Sequence, residues 1–184
     1  MILKNQSILI TGAGKGIGLA SLHDLLSEGA FVFALVKSKS DYAKLKRENL
    51  KNAEIFLGNV NNYKLVKKIL NLSISRKQLI TGLVNNAGIN GPVGVLQDND
   101  PDYWVQTLQV NLIGTYFCCR AVLPVMLNQD RGQIINITGG VGSAAYPHMS
   151  AYPASKVAVS RLTEGLATEL AQSNIHVNSM EPGG

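Results

Sequence analysis

The chain has 184 residues, 46% of them apolar and 16% charged, with a formal net charge of +5. That balance suits one folded globular domain with a sizeable core and excludes a disordered or fibrous chain. No apolar run reaches the roughly 18–20 residues of a membrane span and the amino terminus lacks the anatomy of a signal peptide, so a cytoplasmic protein without a membrane partner is expected.

In chain order, short runs rich in Val, Ile and Leu alternate with stretches of helical period. Residues 7–10 are the first run and 17–27 the first helix, followed by a run at 31–36 and a short helix at 41–49. A third run at 54–57 precedes a Lys-rich helix at 63–72, and a fourth at 82–85 precedes a long helix over 101–127. The fifth run is 133–138, the last helix 152–172 and the sixth run 175–179. Runs that are apolar throughout, alternating with helices, predict a doubly wound parallel α/β sheet in three layers, α/β/α. Such a sheet binds ligands beyond the carboxyl ends of its strands, where the strand order reverses. Site residues are therefore expected just after the runs.

The basic charge is concentrated between Lys37 and Lys77, where eleven Lys and Arg face only Asp41, Glu48 and Glu54. A nucleic-acid surface is one reading of such a stretch, but aromatics are few and no recognised nucleic-acid motif accompanies them. A solvated helical face is expected instead, with no nucleic-acid partner. Cys118 and Cys119 are adjacent, which suits neither a disulfide framework nor a zinc site, and both are expected in the core. His23, His148 and His176 lack ligand spacing, so no metal is expected.

The first run ends in Thr11-Gly12-Ala13-Gly14-Lys15-Gly16-Ile17-Gly18 and opens a helix. Glycines let the backbone approach a pyrophosphate, and the helix amino terminus supplies amide donors. The spacing misses the G-x-G-x-x-G fingerprint, because Ile17 stands at its last glycine. Later in the chain come Asn85-Asn86-Ala87-Gly88 after the fourth run and Val110-Asn111-Leu112 on the long helix. Tyr152-Pro153-Ala154-Ser155-Lys156, Val177-Asn178 and Pro182-Gly183 follow.

Taken in this order, the Thr-Gly-x-x-x-Gly-x-Gly loop and the five later motifs resemble the short-chain dehydrogenase/reductase family over the whole chain. The resemblance implies a Rossmann-like, dinucleotide-binding catalytic domain spanning residues 1–184. It implies a hydride transfer between a nicotinamide cofactor and a small carbonyl or alcohol substrate. Tyr152 would be the acid/base, Lys156 its partner and a ligand of the nicotinamide ribose, and Asn111 the holder of a water in a proton relay. Gly12, Gly14, Lys15, Gly16, Ile17, Gly18, Lys37, Asn59, Val60, Asn86, Ala87, Gly88, Pro182 and Gly183, with Tyr152 and Lys156, would contact the cofactor.

The residues add to this. Tyr152 and Lys156, four apart, share one helix face. An ammonium beside a phenol favours phenolate, so the Tyr152 pKa is expected below its ordinary value near 10. The second run ends Leu35-Val36-Lys37-Ser38 with no carboxylate, and Lys37 and Lys15 suit a 2′-phosphate, so NADP(H) is expected over NAD(H). Asn59 falls where the family often has an Asp beside the adenine.

Two departures stand out. The family's substrate-orienting serine position, thirteen residues before the tyrosine, is Gly139, leaving Thr138 or Ser143 to substitute. Losing one such donor costs roughly 10²–10³ in rate. The chain also stops at Glu181-Pro182-Gly183-Gly184, where family members continue through a substrate-covering region, so a partial chain lacking its C-terminal part is expected. Residues 92–96 and 143–150 are expected to line the remaining pocket, and the apolar stretch 116–126 to support a homodimer or homotetramer. The alternative is a catalytically impaired relative that binds NADP(H) as a sensor or scaffold.

Overall fold

The computed structural model describes residues 1–139 and 146–182. Six parallel strands form one sheet in the order β3-β2-β1-β4-β5-β6. These are β1 (Ser7–Thr11), β2 (Phe31–Val36), β3 (Ala53–Leu57), β4 (Gly82–Asn85), β5 (Gly132–Ile137) and β6 (Ile175–Met180). The helices are α1 (Gly16–Ser27), α2 (Lys39–Arg47), α3 (Tyr63–Ser75), α4 (Pro101–Leu108), α5 (Gly114–Gln129) and α6 (Ala151–Glu169).

The continuous apolar runs have a simple cause: alternate residues face two helical layers. Leu9, Phe33, Leu35 and Leu83 pack with Val66 and Ile69 of α3 and Val122 and Met126 of α5. Ile8, Ile10, Val32, Ala34 and Val36 point the other way, to Leu22 of α1 and Leu45 of α2. Each fully buried side chain of this kind contributes about 1.5–3 kcal/mol. The far side of the sheet is less covered. On β5 and β6, Gln133, His176 and Asn178 are exposed, and Met180 is 50% exposed.

Register places β1 at the centre, with Ile10 level with Ala34 of β2 and Val84 of β4. The strand order reverses between β1 and β4, so the loops after these two strands open onto the ligand crevice of a doubly wound sheet.

Most boundaries shift by one to three residues from the sequence reading, and the long helix is interrupted. The second helix starts at Lys39 rather than 41, because Ser38 caps it, its side chain accepting from the backbone N–H groups of Ser40 and Asp41. The last helix ends at Glu169 rather than 172. The long helix contains a π-helical turn, Gln109–Ile113, between α4 and α5. As a whole, Pro101–Gln129 is long and apolar enough to cross a bilayer by length and composition. In this fold it lies against the sheet, with Cys118 and Cys119 buried as free thiols in the core.

Candidate active site

A cleft of about 670 Å³ lies over the β1–β4 crevice. Its floor is the glycine loop, and its shape depends on Asn86. The Asn86 side-chain amide donates to the carbonyls of Thr11 and Gly12, both at 3.1 Å. In return, the Thr11 hydroxyl accepts from the backbone N–H groups of Asn86 at 3.1 Å and Ala87 at 3.0 Å. Four hydrogen bonds thus tie the loop after β1 to the segment after β4. Asn85 points the other way, donating to Asn136 Oδ1 at 2.8 Å, and Asn136 donates on to Thr163 at 2.8 Å. This buried chain joins β4, β5 and α6 beneath the site.

The amino end of α1 opens into the cleft with no side-chain cap and no acid in its first turn. Its unpaired N–H groups and the helix dipole therefore suit a pyrophosphate. Gly18 lets α1 sit on the loop, since a Cβ there would collide with the Gly12 carbonyl. Gly12, Gly14, Lys15, Gly16, Ile17, Lys37, Asn59, Val60, Asn86, Ala87 and Gly88 all line this cleft. Gly18 is buried behind it. Ser38, at the end of the second run, lines it too, and so does Asp41, which sequence reasoning missed. The donor set and the uncapped helix end fit a dinucleotide.

A second cleft of about 570 Å³ holds Tyr152, Lys156, Gly139, Tyr146, Asn90, Glu181 and Pro182, and shares Ile17, Asn86 and Gly88 with the first. The two sites are thus joined through common walls. Residues 92–96 do not line it, and Pro92 is buried elsewhere. Tyr146 from the expected 143–150 segment does line it. Ser143 and Gly183 lie outside the described residues.

Lys156 is 5% exposed, and its ammonium donates to the Ile137 carbonyl at 2.7 Å. It stands 5.7 Å from the Tyr152 ring centroid, over the ring. Burial lowers its pKa from 10.5 to about 8. The Tyr152 phenol moves against the sequence expectation: burial, and to a lesser degree the nearby Tyr146, raise it above its ordinary value of 10. The phenol is half withdrawn from water, and the Lys156 ammonium donates to Ile137. The phenol thus keeps its proton at neutral pH, as an ordinary tyrosine does.

Asn111 sits on the π turn, 1% exposed. It donates to the Ile89 carbonyl at 2.9 Å and accepts from the Ile89 N–H at 2.8 Å. Its second amide hydrogen goes to Ser155 Oγ at 2.9 Å, and Ser155 in turn donates to the Tyr152 carbonyl at 2.7 Å. The side chain is thus occupied by protein partners, and its visible work is to brace the tyrosine turn against the loop after β4. A relay through that side chain would need one of these bonds to open.

Thr138, expected as one substitute for the missing serine, does not line the second cleft. It is 1% exposed, and its hydroxyl donates to the Met180 carbonyl at 3.2 Å, tying β5 to β6. Gly139 follows it with φ +90°, a backbone state that side chains strain to adopt. A Cβ at Gly139 would lie 2.9 Å from the Tyr152 hydroxyl, which occupies the space of the expected serine.

Comparison with known proteins fits this geometry. The short chain dehydrogenase family model matches residues 6–184. The chain is 35% identical to the 3-oxoacyl-(acyl-carrier-protein) reductase FabG of Thermotoga maritima over 190 aligned residues, covering 100% of this chain and 75% of that protein. Among solved structures, NAD+-bound xylitol dehydrogenase superposes with a TM-score of 0.91 at 30% identity, covering 100% of this chain and 72% of the other. Serine dehydrogenase complexed with NADP+ also gives 0.91, at 29% identity, over 97% of this chain and 72% of that one. The loop tied by Asn86, the Tyr152–Lys156 helix braced by Asn111 and the strand order together make this chain a member of the short-chain dehydrogenase/reductase family, an oxidoreductase acting on CH–OH groups with a nicotinamide cofactor.

Proposed function

We propose that the chain reduces a small-molecule carbonyl to an alcohol with NADP(H), in the cleft bounded by Tyr152, Lys156, Gly139 and Tyr146. The observation that carries this reading is that Tyr152 and Lys156 line a cleft sharing Ile17, Asn86 and Gly88 with the cofactor cleft. When bound, the nicotinamide supplies the hydride. Tyr152 gives its Oη proton to the substrate oxygen as general acid, a role worth about 10²–10⁴ in rate. Lys156, an ammonium below about pH 8, attracts the phenolate left behind. In the oxidative direction Tyr152 must first lose its proton, so oxidation gains with rising pH.

The preference for NADP(H) is supported by Lys15 and Lys37 lining one cleft with Ser38. Homo-oligomer formation is supported by exposed Val105, Tyr116, Leu127 and Val157 on α4, α5 and α6. The test is consumption of reduced cofactor with 3-oxoacyl thioesters, sugars and simple ketones. NADPH consumption faster than NADH with one class supports the reading and names the substrate. No consumption of either cofactor with any class, although cofactor binds, overturns it.

A further inference from the structure

The end of β2 carries no acid, yet a carboxylate reaches the same place from the next helix. Ser38 Oγ accepts from the backbone N–H of Ser40 at 3.2 Å and of Asp41 at 3.3 Å, which fixes the first turn of α2. That turn lays Asp41 on the glycine loop. A Cβ at Gly14 would lie 2.5 Å from Asp41 Oδ2 and 2.7 Å from its Cβ and Cγ, so position 14 takes no side chain because Asp41 fills the space. Asp41 lines the cofactor cleft with Lys15, Lys37 and Ser38. Among the described residues its carboxylate oxygens have no hydrogen-bond or ion-pair partner.

In doubly wound dinucleotide sites, an acid shortly after the second strand accepts from the ribose 2′-hydroxyl of NAD, and a cation there accommodates the 2′-phosphate of NADP. This cleft holds both. We propose that Asp41 is a cofactor-discriminating residue. Its carboxylate accepts from the adenosine ribose hydroxyls of NAD(H) and repels the 2′-phosphate of NADP(H). Lys15 and Lys37 attract that phosphate. The pocket therefore admits both cofactors, and Asp41 holds down a preference for NADP(H) that the lysines alone would make steeper. The proposal rests on the reading that this cleft binds a nicotinamide dinucleotide.

Calorimetric titration of NADPH and NADH into the wild-type chain, Asp41→Asn, Asp41→Ser and Lys37→Ala tests it. Losing a like charge near the phosphate and a charged acceptor on the ribose should raise the NADPH-to-NADH affinity ratio about tenfold in both Asp41 variants. Lys37→Ala should move the ratio the other way. An acid that merely steadies the α2 amino end would change thermal stability and both affinities together, leaving the ratio fixed. A ratio unchanged within about twofold, with both cofactors still bound, overturns this proposal alone. If the wild-type chain binds neither cofactor, the reading it rests on falls, and the proposal with it.

Discussion

The glycine-loop side of the molecule and the Tyr152 side come from the same alternation of strand and helix, but they are held in different ways. On the first, β1 and nearly all of β2 are buried between two helical layers, and four hydrogen bonds lock the loop after β1 to Asn86 and Ala87. On the second, β5 and β6 show polar residues to solvent on one face, and Thr138 turns to β6 while Lys156 turns to Ile137. The cofactor cleft is thus shaped by backbone and short motifs. The substrate cleft is shaped by where a few long side chains settle, which makes it more sensitive to its surroundings.

The largest effect should come from the substrate side. Tyr152→Phe removes the acid and should lower turnover about 10²–10⁴-fold, with cofactor affinity near that of the wild type. A variant that keeps its rate would make the phenol a bystander. On the cofactor side, Asn86→Ala frees the Thr11 and Gly12 carbonyls. It should weaken cofactor binding about tenfold and cost about 1–3 kcal/mol of stability, read by titration and by denaturant melts. Equal affinity in that variant would show that the loop keeps its shape unaided.

Lys156 sharpens the comparison through pH. Its pKa falls from 10.5 in the unfolded chain to about 8 in the folded one. Between those values the unfolded chain binds more protons, so this group makes stability rise with pH across that window, and the buried ammonium costs stability below it. The shift corresponds to about 3 kcal/mol. Lys156→Met should therefore raise stability at neutral pH by about 1–3 kcal/mol while damaging turnover, and should flatten the rise above pH 8. Lower stability with an unchanged slope would contradict the burial account. The smallest effect is expected at Gly139. Gly139→Ser, placed at φ +90° against the Tyr152 hydroxyl, should cost about 1 kcal/mol of stability and lower turnover a few-fold. A rate gain approaching a hundredfold would instead show that the position lacks a serine it can use.

Much of this was legible beforehand, for physical reasons. Strands covered on both faces read as unbroken apolar runs, and the glycine loop and Tyr152–Lys156 spacing sit at their expected ends of the sheet. The motif marks Asn86 as a cofactor contact, and its side chain braces the loop. Periodicity starts the second helix at 41 and hides Asp41, whereas Ser38-x-x-Asp41 is a cap-like spacing that starts the helix at Lys39. The π turn at Asn111 leaves the apolar pattern almost unchanged, so no count of residues shows it. The Lys156 partner is a carbonyl 19 residues away in the chain, and the phenol is raised by burial and by Tyr146, neither of which the four-residue spacing shows.

The most direct measurement is isotope transfer from reduced cofactor deuterated at the nicotinamide C4 to the best carbonyl of the panel, in the wild type and in Tyr152→Phe. The account predicts deuterium at the former carbonyl carbon of the wild-type product and almost none formed by the variant. Cofactor binding without transfer in the wild type, or equal transfer in both proteins, would contradict it.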